Sequence, residues 1–115
     1  MSNEQRDIAD GTLVVRTAKE GDTHVISLCG ELDLANAGTA EAALEASLAE
    51  NPSQIVIDMR ELEFIDSTGI ALLVAALSNN GSKERVRFIP SAAPAVTRVL
   101  ELTGLAERLP LADAQ

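Results

Sequence analysis

A chain of 115 residues, 46% hydrophobic and 23% charged, is long enough for one globular core and too short for two domains. Nine basic against eighteen acidic residues give a net charge of −9, and Phe64 and Phe88 are the only aromatic residues. Such a surface repels phosphate backbones and offers little for bases to stack on. Direct nucleic-acid binding is therefore not expected, and a protein partner with a basic patch is the better match.

Residues 1–10 read as a flexible polar tail without the charged-then-apolar pattern of a signal peptide, and 11–115 as the domain. The β-branched stretch 12–19 and the stretch 24–29 read as two strands joined by a tight turn at Glu20-Gly21-Asp22, an antiparallel hairpin. His24 is placed near the exposed end of that hairpin as a bystander. Cys29 reads as a small buried apolar residue with no basic neighbour to make a thiolate. Gly30-Glu31-Leu32-Asp33 is expected to break the strand.

Asn36 is placed as the cap of a helix over 37–50, with Ala40, Leu44 and Leu48 inward, Glu41 and Glu45 outward, and Asn51-Pro52 as its end. Residues 54–58 form a continuous apolar strand, as in a sheet centre covered by helices. Residues 59–63 read as a loop. A helix from Thr68 to Ser78 follows, stopped by Asn79-Asn80-Gly81. Residues 85–89 make a fourth strand. Ser91 is placed as the cap of a last helix whose Val96, Val99, Leu100 and Thr103 share a face and whose end is Gly104. Leu109-Pro110-Leu111 is a candidate short edge strand. The order predicts an α/β domain: an N-terminal β-hairpin leading into βα units, with a mixed sheet of 4–5 strands and helices packed against it.

No apolar run reaches the roughly 18–20 residues of a membrane span. The single cysteine fits a reducing compartment, so a cytoplasmic protein that does not insert in membranes is expected.

The chemistry-bearing stretch is Phe64-Ile65-Asp66-Ser67-Thr68-Gly69-Ile70, followed by Ala71-Leu72-Leu73-Val74-Ala75-Ala76-Leu77. Asp, Ser and Thr ahead of an apolar run read as a helix N-cap. At 100° per residue Ile70, Leu73, Val74 and Leu77 fall on one side, towards the sheet, leaving Ala71, Leu72, Ala75 and Ala76 opposite. An ordinary surface helix would carry Lys or Glu there. Either another helix covers this face, or it is exposed because a partner docks on it.

Ser67 has two readings as well. It is a capping hydroxyl, or it is a regulated one, since a helix N-terminus reaches solvent and stabilises added negative charge. The acids at strand ends, Glu31, Asp33 and Asp58, suggest a Mg²⁺-dependent aspartyl phosphoacceptor as a rival. The last strands, however, end in Pro90 and Pro110 rather than the lysine such a site wants. Phosphate-binding glycine loops and metal-ligand spacings are absent, and the lone histidine gives Ser67 no catalytic base. No catalytic residue, cofactor or metal is expected.

Gly30-Glu31-Leu32-Asp33 after a strand, Ile55-Val56-Ile57-Asp58, the Asp66-Ser67-Thr68-Gly69 segment, Pro90-Ser91 and Val99-Leu100-Glu101-Leu102-Thr103-Gly104-Leu105 resemble the STAS-domain anti-sigma factor antagonists of bacteria. The resemblance runs from Leu13 to Leu111. It implies a non-enzymatic protein that, unphosphorylated, binds an anti-sigma factor with serine kinase activity and so releases a sigma factor. The kinase would phosphorylate the serine matching Ser67, weakening the complex, and a metal-dependent serine phosphatase would reverse it. Asp33, Asp66 and Thr68 match acidic and neighbouring positions close to that serine. The expected partner surface is Asp33, Asp66, Ser67, Thr68, Gly69, Ala71, Leu72 and Ala75. Family members often carry a further helix after the last short strand, whereas this sequence stops at Gln115. The alternative within the family is a STAS adaptor or scaffold subunit of a transport or signalling complex, with Ser67 only a cap.

Overall fold

The structure, a computed structural model, describes residues 4–78 and 85–112. Six strands form one mixed sheet: β1 (Glu4–Asp10), β2 (Leu13–Glu20), β3 (Thr23–Leu32), β4 (Gln54–Asp58), β5 (Leu62–Ile65) and β6 (Val86–Ile89). The order is β1-β2-β3-β4-β6, with β5 pairing β3 as well. Three helices, α1 (Ala37–Ala49), α2 (Ser67–Ser78) and α3 (Pro94–Leu102), and a 3-10 turn at Leu105–Glu107 are the other elements among the described residues.

The expected hairpin is β2–β3, antiparallel from Leu13 opposite Gly30 to Glu20 opposite Thr23. The pairs β3–β4, β3–β5 and β4–β6 are parallel, as βα crossovers require. On β2, β3 and β6 burial alternates with the strand period. Leu13, Val15, Ile26, Leu28, Val86 and Phe88 point inward and join Ala40, Leu44, Leu73, Val96 and Leu100 of the three helices in one core. The opposite face of the hairpin, with Val14, Arg16, Ser27 and Cys29, is only half-buried. Helices therefore load one face of the sheet. Val56 of β4 lies on the barer face, between Val25 and Arg87 of the neighbouring strands, which explains an apolar strand without helices on both sides.

Several expectations are corrected. Residues 4–10 are not a tail but an edge strand paired along β2. Asp7 accepts two hydrogen bonds from the Arg16 guanidinium at 3.1 and 3.3 Å, and Asp10 accepts one from Thr39 Oγ1 at 2.6 Å. An edge strand wet on most of its surface has no apolar alternation to betray it. Residues 1–3 of the expected tail lie outside the described residues, as does the Asn79-Asn80-Gly81 helix stop.

β3 does not break at Gly30; it runs on to Leu32 through a register shift between Gly30 and Glu31. The expected loop 59–63 gives up its end to β5. α1 ends just ahead of Asn51-Pro52, as read from the sequence, and Asn51 itself takes up the left-handed conformation (φ 57°). The C-terminal segment adds a single parallel bridge, Leu111 beside Phe88. Ser91 does not cap α3 directly. Its buried hydroxyl donates to the Leu62 carbonyl at 2.7 Å and accepts from the Ala93 N–H at 2.9 Å, fastening the chain to β5 before Pro94 opens the helix.

Candidate functional site

Parallel strands that end together deliver their following loops to one sheet edge. Here the β3–α1 and β5–α2 connections meet through one carboxylate. Asp66 Oδ1 accepts from the Thr68 and Gly69 N–H groups at 2.9 and 3.1 Å, and the Asp66 carbonyl accepts from the Ile70 N–H at 3.0 Å. Asp66 is thus the N-cap of α2. Its Oδ2 accepts from the Leu34 N–H at 3.2 Å, and its own N–H donates to the Leu32 carbonyl at 3.1 Å. Asp33 precedes Leu34 in a turn held from within. Asp33 Oδ1 accepts from the Ala35 N–H at 3.0 Å. The buried Asn36 side chain accepts from the Asp33 N–H at 2.9 Å and donates to the Glu31 carbonyl at 3.0 Å. Asn36 is therefore a loop staple, not the cap expected of it.

With Asp66 capping, Ser67 becomes the first residue of the helix. It is exposed, and its hydroxyl has no hydrogen-bond partner among the described residues. The capping reading of Ser67 is overturned, because a carboxylate one residue earlier already holds the orphan N–H groups. Stability should separate the two positions. Asp66→Ala is expected to cost about 1–2 kcal/mol through loss of the cap, whereas Ser67→Ala should stay within about 0.5 kcal/mol, as an ordinary surface change. Denaturant midpoints of the two variants test this.

Along α2 the structure corrects the orientation. Leu73 and Ala76 are buried, at 0% and 1% exposure, while Val74 is 42% exposed with Ala71 and Ala75 beside it. Ala76, expected outward, faces in; Val74, expected inward, faces out. Gly69, expected on the partner surface, is buried as well. A Cβ there would meet Ile65 Cγ1 at 2.6 Å and Leu32 Cγ at 2.9 Å. Leu72 is half-buried against the core. The helix turns Gly69, Leu73 and Ala76 towards the core, with Gly69 at the closest approach. The face of Ala71, Val74 and Ala75 is left bare.

Two exposed apolar residues that sequence reading did not place on the partner surface lie on the segments leading to this site. Leu34, whose backbone is tied to Asp66, is 77% exposed, and Phe64 on β5 is 42% exposed. Phe64 is one of only two aromatics, and its neighbours Leu62 and Ile65 are buried; a four-residue strand was the missing clue.

Residues 14–114 match the family model described as STAS domain. The anti-sigma-F factor antagonist RsfB of Mycobacterium tuberculosis is 35% identical over 98 residues, which cover 84% of this chain and 79% of that protein. The chain belongs to the STAS-domain anti-sigma factor antagonists. A crystal structure of an anti-sigma factor antagonist from Mycobacterium paratuberculosis is similar to it with a TM-score of 0.74 and 27% identity, over 98% of this chain and 87% of that one. SpoIIAA of Bacillus, in its unphosphorylated form, shares the fold at a TM-score of 0.66 and 20% identity, over 99% and 89% of the two chains.

The remaining chemistry-bearing residues of this STAS domain lie outside that constellation. Asp58 is engaged by the Arg60 guanidinium at 2.8 Å (Nη2 to Oδ2) and 3.1 Å (Nε to Oδ1), and by the Arg60 N–H at 3.0 Å. Both its oxygens are taken up, which argues against a phosphoacceptor role. Burial works to raise the Asp58 pKa, but these hydrogen bonds and the Arg60 charge outweigh it and hold the carboxyl below its ordinary value. The stabilisation is therefore fully present above the unfolded-state value of about 4 and is lost as pH falls through the lower folded value. Asp58→Asn should flatten the acid limb of a stability-versus-pH curve below about pH 4, and leave its shape near neutrality unchanged.

Cys29 is half-buried on the barer face of the sheet rather than in the core, and burial, then Glu61, pushes its thiol up. His24, expected at an exposed end, is buried under α1. Among the described residues no cluster of His, Cys, Asp and Glu is placed to hold a metal, and no helix is long and apolar enough to cross a membrane.

Proposed function

We propose that this domain is a phosphorylation-controlled docking module. Unphosphorylated, it binds an anti-sigma factor that is also a serine kinase and so frees a sigma factor. ATP-dependent phosphorylation of Ser67 ends the docking, and a serine phosphatase restores it. The domain supplies no catalytic group; it is partner and substrate. The observation that carries this reading is Ser67 itself, an exposed hydroxyl with no hydrogen-bond partner among the described residues, at the tip of a helix whose cap is a different residue.

The surroundings support it. Ala71, Val74 and Ala75 present a bare apolar face behind Ser67, with the exposed Leu34 tied to the start of the helix through Asp66, and a partner gains by covering them. Asp33 and Asp66 complete a docking end that is apolar and negative, matched to a partner with a basic patch. A phosphoryl group on Ser67 brings nearly two more negative charges. The helix N-terminus tolerates them, so the domain stays folded. A partner shaped for the bare face must then accept or desolvate that charge, and binding weakens.

Capture of partners from the source cell with and without ATP, followed by intact-mass measurement, tests this. The expected result is an anti-sigma factor bound without ATP and one added phosphoryl mass with it, absent in Ser67→Ala. A kinase that binds and adds no mass would instead leave a constitutive STAS adaptor.

A further inference from the structure

The turn between β3 and α1 is held more firmly than a surface connection needs. Every backbone N–H from Asp33 to Ala37 donates within the protein. The Asp33 N–H goes to Asn36 Oδ1 at 2.9 Å, the Leu34 N–H to Asp66 Oδ2 at 3.2 Å and the Ala35 N–H to Asp33 Oδ1 at 3.0 Å. The Asn36 and Ala37 N–H groups share the Asp33 carbonyl at 3.1 and 2.8 Å. Asn36, only 2% exposed, pins the turn from beneath through its second bond, to the Glu31 carbonyl.

On this turn stands Leu34, at 77% the most exposed large apolar side chain among the described residues. The fold gives no reason for a leucine there. Its N–H is engaged whatever the side chain, and turns ordinarily carry small or polar residues. A fixed backbone that presents an apolar side chain to water suits binding, because the ordering is complete before a partner arrives.

The turn is also tied to Ser67. Asp66 Oδ1 caps α2 while Oδ2 holds the Leu34 N–H, so one carboxylate sets Leu34 and the helix start in fixed relation. A partner that covers the start of α2 therefore meets Leu34. No lysine or arginine occurs between Lys19 and Arg60 or between Arg60 and Lys83, so both loops and both helices carry acids alone.

We infer, resting on the docking proposed above, that Leu34 is the anchor of that interface and enters an apolar socket with a basic rim on the anti-sigma partner. The socket takes the leucine out of water, and the rim answers Asp33 and Asp66. Asn36, sealed beneath the turn and out of a partner's reach, is a positioning residue that acts through Leu34.

Calorimetry without ATP, using the purified anti-sigma factor recovered in the capture experiment, tests this. Leu34→Ala is expected to weaken binding about tenfold or more, with the urea midpoint unmoved. Leu34→Met, of similar volume, is expected to bind like the unmodified chain. Asn36→Ala is expected to weaken binding in the unmodified chain and to add nothing in a Leu34→Ala background, a coupling that a purely structural role would not produce. Unchanged affinity of Leu34→Ala overturns the inference; if Val74→Asp still weakens binding, the docking function stands without it. A urea midpoint that falls in step with affinity also overturns it, since the leucine then serves the fold. Binding lost in Leu34→Ala while ATP adds no mass at Ser67 upholds the anchor and removes the switch.

Discussion

Gly30→Ala is expected to destabilise the domain by more than about 4 kcal/mol, the range in which a small protein with about 5–15 kcal/mol in hand approaches unfolding. Gly30 has φ 102°, a conformation that L side chains rarely adopt. A Cβ at this position would also collide with the Thr12 carbonyl oxygen, which is backbone and has no rotamer to escape into. That carbonyl accepts the Glu31 N–H at 3.2 Å, and Gly30 itself donates to the Glu61 carbonyl at 3.0 Å. Relief of the clash must therefore pull apart the place where β2, the bulged end of β3 and the entry to β5 join. The effect should reach the α2 site as well, because β3 continues into the Asp33 turn and β5 into Asp66. Urea unfolding followed by circular dichroism tests this; a midpoint shift worth less than about 1 kcal/mol would contradict it.

Ser67→Glu is expected to weaken binding of the anti-sigma partner by about a hundredfold, about 3 kcal/mol, with the urea midpoint almost unmoved. Ser67→Ala is expected to bind like the unmodified protein and to stop responding to ATP. The asymmetry follows from the cap. Since Asp66 secures the helix, a charge placed at position 67 alters what the partner meets while the fold stays as it was. Val74→Asp offers an independent check, because it puts a charge in the middle of the bare face while leaving Ser67 available to the kinase. Equal affinity of all three variants, measured by calorimetry without ATP, would remove the α2 face from the interface.

Much of this was legible in the residues. The β2–β3 hairpin, the α/β alternation and the position of Ser67 at a helix start each rest on strong local chemistry: a Glu-Gly-Asp turn, period switches, and a polar triplet ahead of an apolar run. The roll of α2 was not legible. A helix without polar side chains has no moment to orient it, so size was the only guide and it chose Val74 over Ala76. In the fold, closeness wins at the start of the helix, where Leu32 and Ile65 leave no room for a side chain at Gly69, and Ala76 is buried on the same helix. β1 escaped notice because it is held by backbone pairing with β2, by Asp7 to Arg16 and by Asp10 to Thr39 of α1, none of which leaves an apolar pattern. The burial of His24 was hidden for a related reason, since α1 covers it from a distant part of the chain.

Placing the cap at Asp66 and the free hydroxyl at Ser67 also bears on how such a domain can change over generations. Structural and regulatory demands fall on adjacent but separate codons. Position 67 can lose its hydroxyl, or regain it, in one step and with little effect on foldability, because no backbone group among the described residues depends on it. Position 66 has no such freedom, holding two loops together through one side chain. A lineage can therefore retire the switch and keep the scaffold, and an engineer can do the same by choosing the residue at 67 alone.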